Sequence, residues 1–158
     1  MKFPASTLAK AVAVAVVMLA GVEGLSTKSY QDTGGVWTIC YGYTHGVTRG
    51  QRATSDQCYT MLKEEAYAVA NQIAPLLPST LNPNQFAALI SFCYNVGYAN
   101  CKSSTLFTLI NKGDMVGAGK QFARWHYVKK LDCTIRSNNC YGIVLRRAAE
   151  TSLWNKPL

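Results

Sequence analysis

Glu23-Gly24-Leu25-Ser26-Thr27-Lys28-Ser29-Tyr30-Gln31-Asp32-Thr33-Gly34-Gly35-Val36-Trp37-Thr38-Ile39-Cys40-Tyr41-Gly42-Tyr43-Thr44 is the stretch from which the rest of the chain is read. Within it, Ser29 to Thr33 and Val36 to Thr44 have strand character and flank Gly34-Gly35, a dipeptide that supplies the positive φ angles of a tight hairpin turn. In the second run Trp37, Ile39, Tyr41 and Tyr43 alternate with Thr38, Cys40 and Gly42, which predicts one bulky face and one small, polar face. Glu23, Asp32 nine residues on and Thr38 six further would gather two carboxylates and a hydroxyl around one helix-hairpin junction.

Upstream of Glu23, Ala11 to Val22 is a run of uncharged Ala, Val, Met, Leu and Gly residues preceded by Lys2 and Lys10. This is the pattern of an export segment, and positive-inside bias leaves the short tail in the cytoplasm and everything after Val22 outside. A stable span needs about 20 apolar residues, a length reached only by counting back to Phe3 through Pro4, Ser6, Thr7 and Lys10. As an anchor the segment is therefore weak. Three readings compete: an uncleaved anchor that later leaves the bilayer; a cleaved signal peptide, for which a cut after Ala20 puts Met18 at the unfavourable minus 3 position; and an ordinary buried helix.

Downstream, no repeat, low-complexity tract or linker interrupts residues 23 to 158, which predicts one domain behind segment 1 to 22. Thr54 with Gln57 forms a capping-box pattern ahead of Cys58, Met61, Leu62, Ala66, Val69 and Ile73 at helical spacing, with Pro75 as the stop. Asn82-Pro83 with Gln85 opens a second helix and Gly97 closes it. A third is expected from about Ser104 to Asn111, a fourth from Asp114 to Trp125 and a last from about Ile143 to Trp154. A small hairpin among mostly helix predicts an α+β fold. With 49% hydrophobic and 15% charged side chains in 158 residues, the composition suits one globular domain and excludes a multidomain assembly or a disordered chain.

Sixteen bases against eight acids give a net charge of +8, which favours an anionic partner. Residues 102 to 158 hold ten of the bases and three of the acids. Lys129, Lys130, Arg136, Arg146 and Arg147 form the densest stretch, read either as a solvated face or as a grip on peptidoglycan carboxylates or anionic lipid. No nucleic-acid motif accompanies the charge. Six cysteines suggest disulfides in an oxidising compartment, and Cys40 with Cys58, Cys93 with Cys101 and Cys133 with Cys140 are neighbours able to close three short loops; free buried thiols are the alternative. No spacing offers a metal site, and His45 and His126 stand as isolated loop or surface residues.

Glycosidic cleavage requires one acid to protonate the leaving oxygen and a second carboxylate to activate or stabilise on the opposite face, and a strand hydroxyl such as that of Thr38 would hold the water. By spacing alone, two acids nine residues apart also read as ordinary surface charges. Glu23-Gly24, Tyr30-x-Asp32 and the run Gly35 to Thr44 resemble the catalytic segment of the phage-type lysozymes, or endolysins. The likeness continues in order through Ser91-Phe92-Cys93-Tyr94-Asn95-Val96-Gly97, Ser104-Thr105-Leu106, Ile110 to Asp114, Arg124-Trp125 and Leu145 to Glu150 with Leu153-Trp154. The resemblance implies a lysozyme-like fold and a muramidase without metal or cofactor, inverting, with Glu23 as general acid, Asp32 as the carboxylate that positions water and Thr38 completing the triad. Asn95 is a candidate for substrate contact. Cys40 and Tyr43 stand where the family usually has glycine and histidine.

The apolar segment before Glu23 is similar to that of the signal-anchor-release endolysins, which implies an anchor that doubles as the first helix. The enzyme would sit in the inner membrane, single-pass with its N-terminus inside, and reach the periplasm on release as a monomer, with a functional link to a holin or pinholin. A catalytically inactive peptidoglycan-binding protein and a lytic transglycosylase are the alternatives.

Overall fold

In the computed structural model, which describes residues 3–158, helix α1 covers Ala5–Glu23 and is joined through Gly24-Leu25 to the hairpin β1 (Ser26–Gln31) and β2 (Trp37–Cys40). Lys2, one of the two lysines flanking the apolar run, lies outside the described residues. Lys10 falls within α1 and is exposed. Every third or fourth residue of α1 meets the core: Ala11, Val12, Ala15, Val16 and Leu19 are buried, packed on α2 (Ser55–Ile73) and α3 (Pro83–Val96). Burial of a side chain such as Leu19 contributes roughly 1.5–3 kcal/mol. The apolar segment is thus a core helix of this fold.

The capping boxes form as their residue types dictate. Thr54 and Gln57 exchange side chain-backbone hydrogen bonds at the head of α2, and Asn82 and Gln85 do so at the head of α3. α2 ends at Ile73, and Pro75 lies in a single 3-10 turn over Ala74–Leu76. Gly97 closes α3 with φ +87°. The chain then forms α4 (Tyr98–Ser103), a helix the spacing does not reveal, and α5 (Thr105–Asn111), capped by Ser104.

The helix expected from Asp114 to Trp125 is broken. α6 covers only Met115–Gly119, and Phe122–Arg124 is a 3-10 turn. Two glycines weaken this segment as a helix, and Gly119 is pressed against Trp154, where an added Cβ would stand 2.8 Å from the indole. A second small hairpin, β3 (Tyr127–Val128) and β4 (Leu131–Asp132), precedes the last helix, α7 (Gly142–Asn155).

The first hairpin departs from expectation in three ways. β1 starts earlier and ends at Gln31; β2 ends at Cys40, which has φ +61°; and of Gly34 and Gly35 only Gly35 has positive φ, +79°. Beyond Cys40 the chain reverses, so that Ile39 and Tyr43 exchange backbone hydrogen bonds at 2.9 Å. The expected split into an apolar and a polar face also fails, because Thr38, Ile39 and Cys40 are all buried. Ile39 and Cys40 form a small second core with Val47 and Cys58 of α2. All six cysteines pair as their proximity suggests, Cys40–Cys58, Cys93–Cys101 and Cys133–Cys140.

Candidate active site

Glu23 is the last residue of α1, and Gly24 at φ +71° turns the chain into β1. One carboxylate oxygen is tethered, since Arg146 donates from Nη1 to Oε1 at 2.5 Å. The other faces Gly42, where an added Cβ would come within 3.2 Å of Oε2. With φ +79° as well, position 42 calls for glycine on both conformational and steric grounds.

Arg146 reaches from Glu23 into the core of the domain. Its Nη2 donates to the Ser91 carbonyl at 2.9 Å and its Nε to Glu150 Oε1 at 3.4 Å. Glu150 is fully buried and accepts from Arg147 Nη1 at 2.7 and 2.6 Å and from the Ser91 hydroxyl at 2.9 Å. Arg147 in turn donates to the Trp125 carbonyl and to Asn95 Oδ1. Burial pushes the Glu150 carboxyl above its usual range and the Arg147 guanidinium below its own, while each holds the other charged. Breaking such a network from one side costs about 3–5 kcal/mol, because it strands a buried charge. Arg146 and Arg147 therefore belong neither to a solvated face nor to a surface grip: both are buried, on α7 against α3. Lys129, Lys130 and Arg136 are exposed.

Asp32 follows β1 on the exposed turn. Its Oδ1 accepts from the amides of Gly34 at 2.8 Å and Val36 at 2.9 Å, so that one oxygen is fixed by the backbone. Thr38, paired across the hairpin with Tyr30, is buried and donates from Oγ1 to the Val36 carbonyl at 3.0 Å. Its lone pairs are left to accept. Asp32 and Thr38 are thus tied to the same residue, Val36, and Glu23 lies at the other end of β1.

Beyond Gly42 opens a cleft of about 470 Å³ lined by Gly42, Tyr43, His45, Glu65, Tyr94 and Tyr98 among others; Glu23, Asp32 and Thr38 do not line it. Tyr94 donates to the Tyr41 carbonyl at 3.5 Å. Its phenol is pushed up to about 12, first by burial and then by the charges of Glu23 and Glu65, against the opposing pull of Arg146. It stays a neutral donor at physiological pH. The two histidines are not isolated, since His45 lies 4.0 Å from Glu65 and edge-on to Tyr43, and His126 lies 3.7 Å from Asp132. Among the described residues no three metal-ligating side chains come together. Asn95 is exposed, with its Oδ1 taken by Arg147.

A profile of the phage lysozyme family matches residues 20–150. A SAR-endolysin of Bacteriophage PS119 is 36% identical over 155 residues, covering 92% of this chain and 89% of its own length. A SAR-endolysin of Pseudomonas phage phiKMV is 37% identical, covering 89% of this chain and 85% of its own. Among solved structures, an endolysin from Escherichia coli O157:H7 phage FAHEc1 superposes with a TM-score of 0.80 at 25% identity, over 92% of each chain. The chain belongs to the phage lysozyme family and is a glycoside hydrolase of the lysozyme type.

The family resemblance points to Glu23, Asp32 and Thr38, but neither it nor the spacing points to the Arg146, Glu150 and Ser91 network behind Glu23. A signal for half of it was present: Glu150 lies four residues after Arg146 and three after Arg147, the separations at which helical side chains meet. Nothing local links that motif to a carboxylate 123 residues away.

Proposed function

We propose that the protein is a phage endolysin that hydrolyses the β-1,4 bond between N-acetylmuramic acid and N-acetylglucosamine in peptidoglycan, with inversion. The observation that carries this reading is the Glu23 carboxylate, held by Arg146 through Oε1 and with Oε2 close to Gly42, a residue that lines the cleft. Glu23 delivers a proton to the leaving glycosidic oxygen as the bond to the anomeric carbon breaks. A water, held by Thr38 and giving its proton to Asp32, forms the new bond on the opposite face. The two amide donors on Asp32 Oδ1 aim the carboxylate without occupying Oδ2. Asn95, held by Arg147, contacts the sugar chain.

Glu23→Gln is expected to lower wall hydrolysis by about 10²- to 10⁴-fold with the fold intact, with Asp32→Asn also severe and Thr38→Ala damaging. Near-normal rates in folded variants would remove these residues from their roles. Freshly formed reducing ends of the α anomer support inversion. A 1,6-anhydro ring would identify a lytic transglycosylase, and no cleavage at all would identify a binding protein.

The same proposal includes residues 1 to 22 as an uncleaved, releasable anchor. α1 is long and apolar enough to cross a membrane, yet only 28% of its apolar window is buried inside the domain. It holds the enzyme in the inner membrane with the N-terminus inside, and on collapse of the potential, the signal a holin or pinholin supplies, it leaves the bilayer and packs as the core helix of a periplasmic monomer. Full-length, active protein should move from the membrane to the soluble fraction on depolarisation. A mature N-terminus at Gly21 or later would establish cleavage instead.

A further inference from the structure

The β3–β4 hairpin carries a feature that the catalytic reading leaves unused. Its turn is Lys129-Lys130, and both lysines adopt left-handed backbone, φ +48° and +67°. Two consecutive positive φ values are the type I′ arrangement that hairpins ordinarily fill with Asn-Gly or Asp-Gly, because a β-carbon is disfavoured there. The fold holds two long cations in this conformation by securing the base of the hairpin: Cys133 is bonded to Cys140, and its amide donates to the His126 carbonyl at 2.8 Å. The hairpin's one acid, Asp132, is engaged by the amide and hydroxyl of Thr134 and lies 3.7 Å from His126. The lysines have no neutralising partner among the described ion pairs.

Beside this cationic tip stand apolar side chains that a water-facing loop does not require. Leu131 is 48% exposed and Ile135 51%, and the Arg136 guanidinium is stacked 3.6 Å from the centre of the Tyr141 ring. Tyr127, paired with Asp132, projects from the other face of the hairpin. We propose that the segment 127–141 is a membrane-contact surface that docks the folded enzyme on an anionic phospholipid bilayer, with Lys129, Lys130 and Arg136 at the headgroup phosphates and Leu131 and Ile135 in the interfacial layer. The mixture of groups selects the occupant. A soluble polyanion offers nothing to exposed aliphatic chains, whereas a bilayer surface takes cationic and aliphatic side chains side by side. None of these residues lines the cleft beyond Gly42.

The test uses the full chain with vesicles of phosphatidylglycerol in phosphatidylcholine and with vesicles of phosphatidylcholine alone. Lys129→Asn with Lys130→Gly removes both charges while installing residues that favour the same turn, so its unfolding midpoint should not fall. Its affinity for the anionic vesicles should drop about 30-fold, each lysine near such a surface accounting for roughly fivefold. Leu131→Ser with Ile135→Ser should weaken the same binding independently. Both double variants should hydrolyse lipid-free peptidoglycan at the parental rate, a readout that separates this surface from the catalytic assignment. Unchanged binding of the lysine variant to anionic vesicles would overturn the proposal, as would equal affinity of the parent for neutral vesicles. A loss of binding to purified sacculi with vesicle binding intact would overturn it in favour of the acidic wall polymer.

Discussion

Gly42 lines the cleft and adjoins the Glu23 carboxylate. Alanine there meets two separate penalties. The left-handed backbone disfavours any β-carbon by about 1–2 kcal/mol, and that carbon would stand 3.2 Å from Glu23 Oε2. Gly42→Ala should therefore lower stability by about 1–2 kcal/mol in denaturant unfolding and reduce wall hydrolysis by more than about tenfold, since misplacing a proton donor by a fraction of an ångström is costly. A variant with that stability loss and a parental rate would show that Gly42 does not set the carboxylate. Tyr94 makes a second prediction at this scale. Its phenol ionises near 12 in the folded chain against an ordinary 10.0, so its contribution to stability is complete below pH 10. Between 10 and 12 the unfolded chain releases its proton first, and stability falls by up to about 1.4 kcal/mol per pH unit. Urea unfolding at pH 9 and pH 11.5 should reveal this decline in the parent and a smaller one in Tyr94→Phe; identical slopes would contradict it.

β2 ends where it does because Cys40 occupies a conformation suited to glycine, with φ +61°, and is also bonded to Cys58 in α2. Its two roles oppose each other energetically. The cross-link restricts the unfolded chain over a separation of 18 residues, stabilising by about 2–4 kcal/mol, while the β-carbon costs about 1 kcal/mol. Cys40→Ala with Cys58→Ala should lose the first and keep the second cost. Cys40→Gly with Cys58→Ala should recover about 1 kcal/mol relative to it, as measured by thermal or urea unfolding. Equal stability of the two variants would mean that the backbone relaxes once the bond is gone. The same competition between local and tertiary demands explains the broken segment after Asp114: Gly119 accommodates Trp154 at the expense of helix continuity.

At the scale of the whole molecule, α1 must satisfy two solvents with one sequence. Its core stripe, Ala11, Val12, Ala15, Val16 and Leu19, is matched to α2 and α3, and the opposite side, including Ala9, Ala13, Val17 and Gly21, is exposed. Leucine at Ala9, Ala13 and Gly21 should leave the folded domain within about 0.5 kcal/mol of its stability, as surface changes do. Each should favour insertion by about 0.5 kcal/mol, so after depolarisation more of the enzyme should stay in the membrane fraction. Leucine at Ala11 or Ala15 should behave differently, overpacking the core by about 1–3 kcal/mol and yielding an unstable soluble form. Equal release of the exposed-face variant and the parent would argue that hydrophobicity does not govern retention.

Features that depend on near neighbours were legible in the residues. Capping boxes at Thr54 and Asn82, the stop near Pro75 and a hairpin after Glu23 all follow from residue types a few positions apart, where chain connectivity keeps partners close. The same closeness offered the three cysteine pairs but left free thiols open. Tertiary structure alone decided what depends on distant partners. It buried Arg146 and Arg147, which charge counting placed at the surface, because Glu150 and Ser91 offered compensation inside. It joined Arg146 to Glu23 across 123 residues, ended β2 at Cys40 and split the helix after Asp114. It also chose which side of an almost uniformly apolar segment faces the core. A run of Ala and Val carries little periodic signal of its own, so only the surfaces of α2 and α3 could select the stripe that packs.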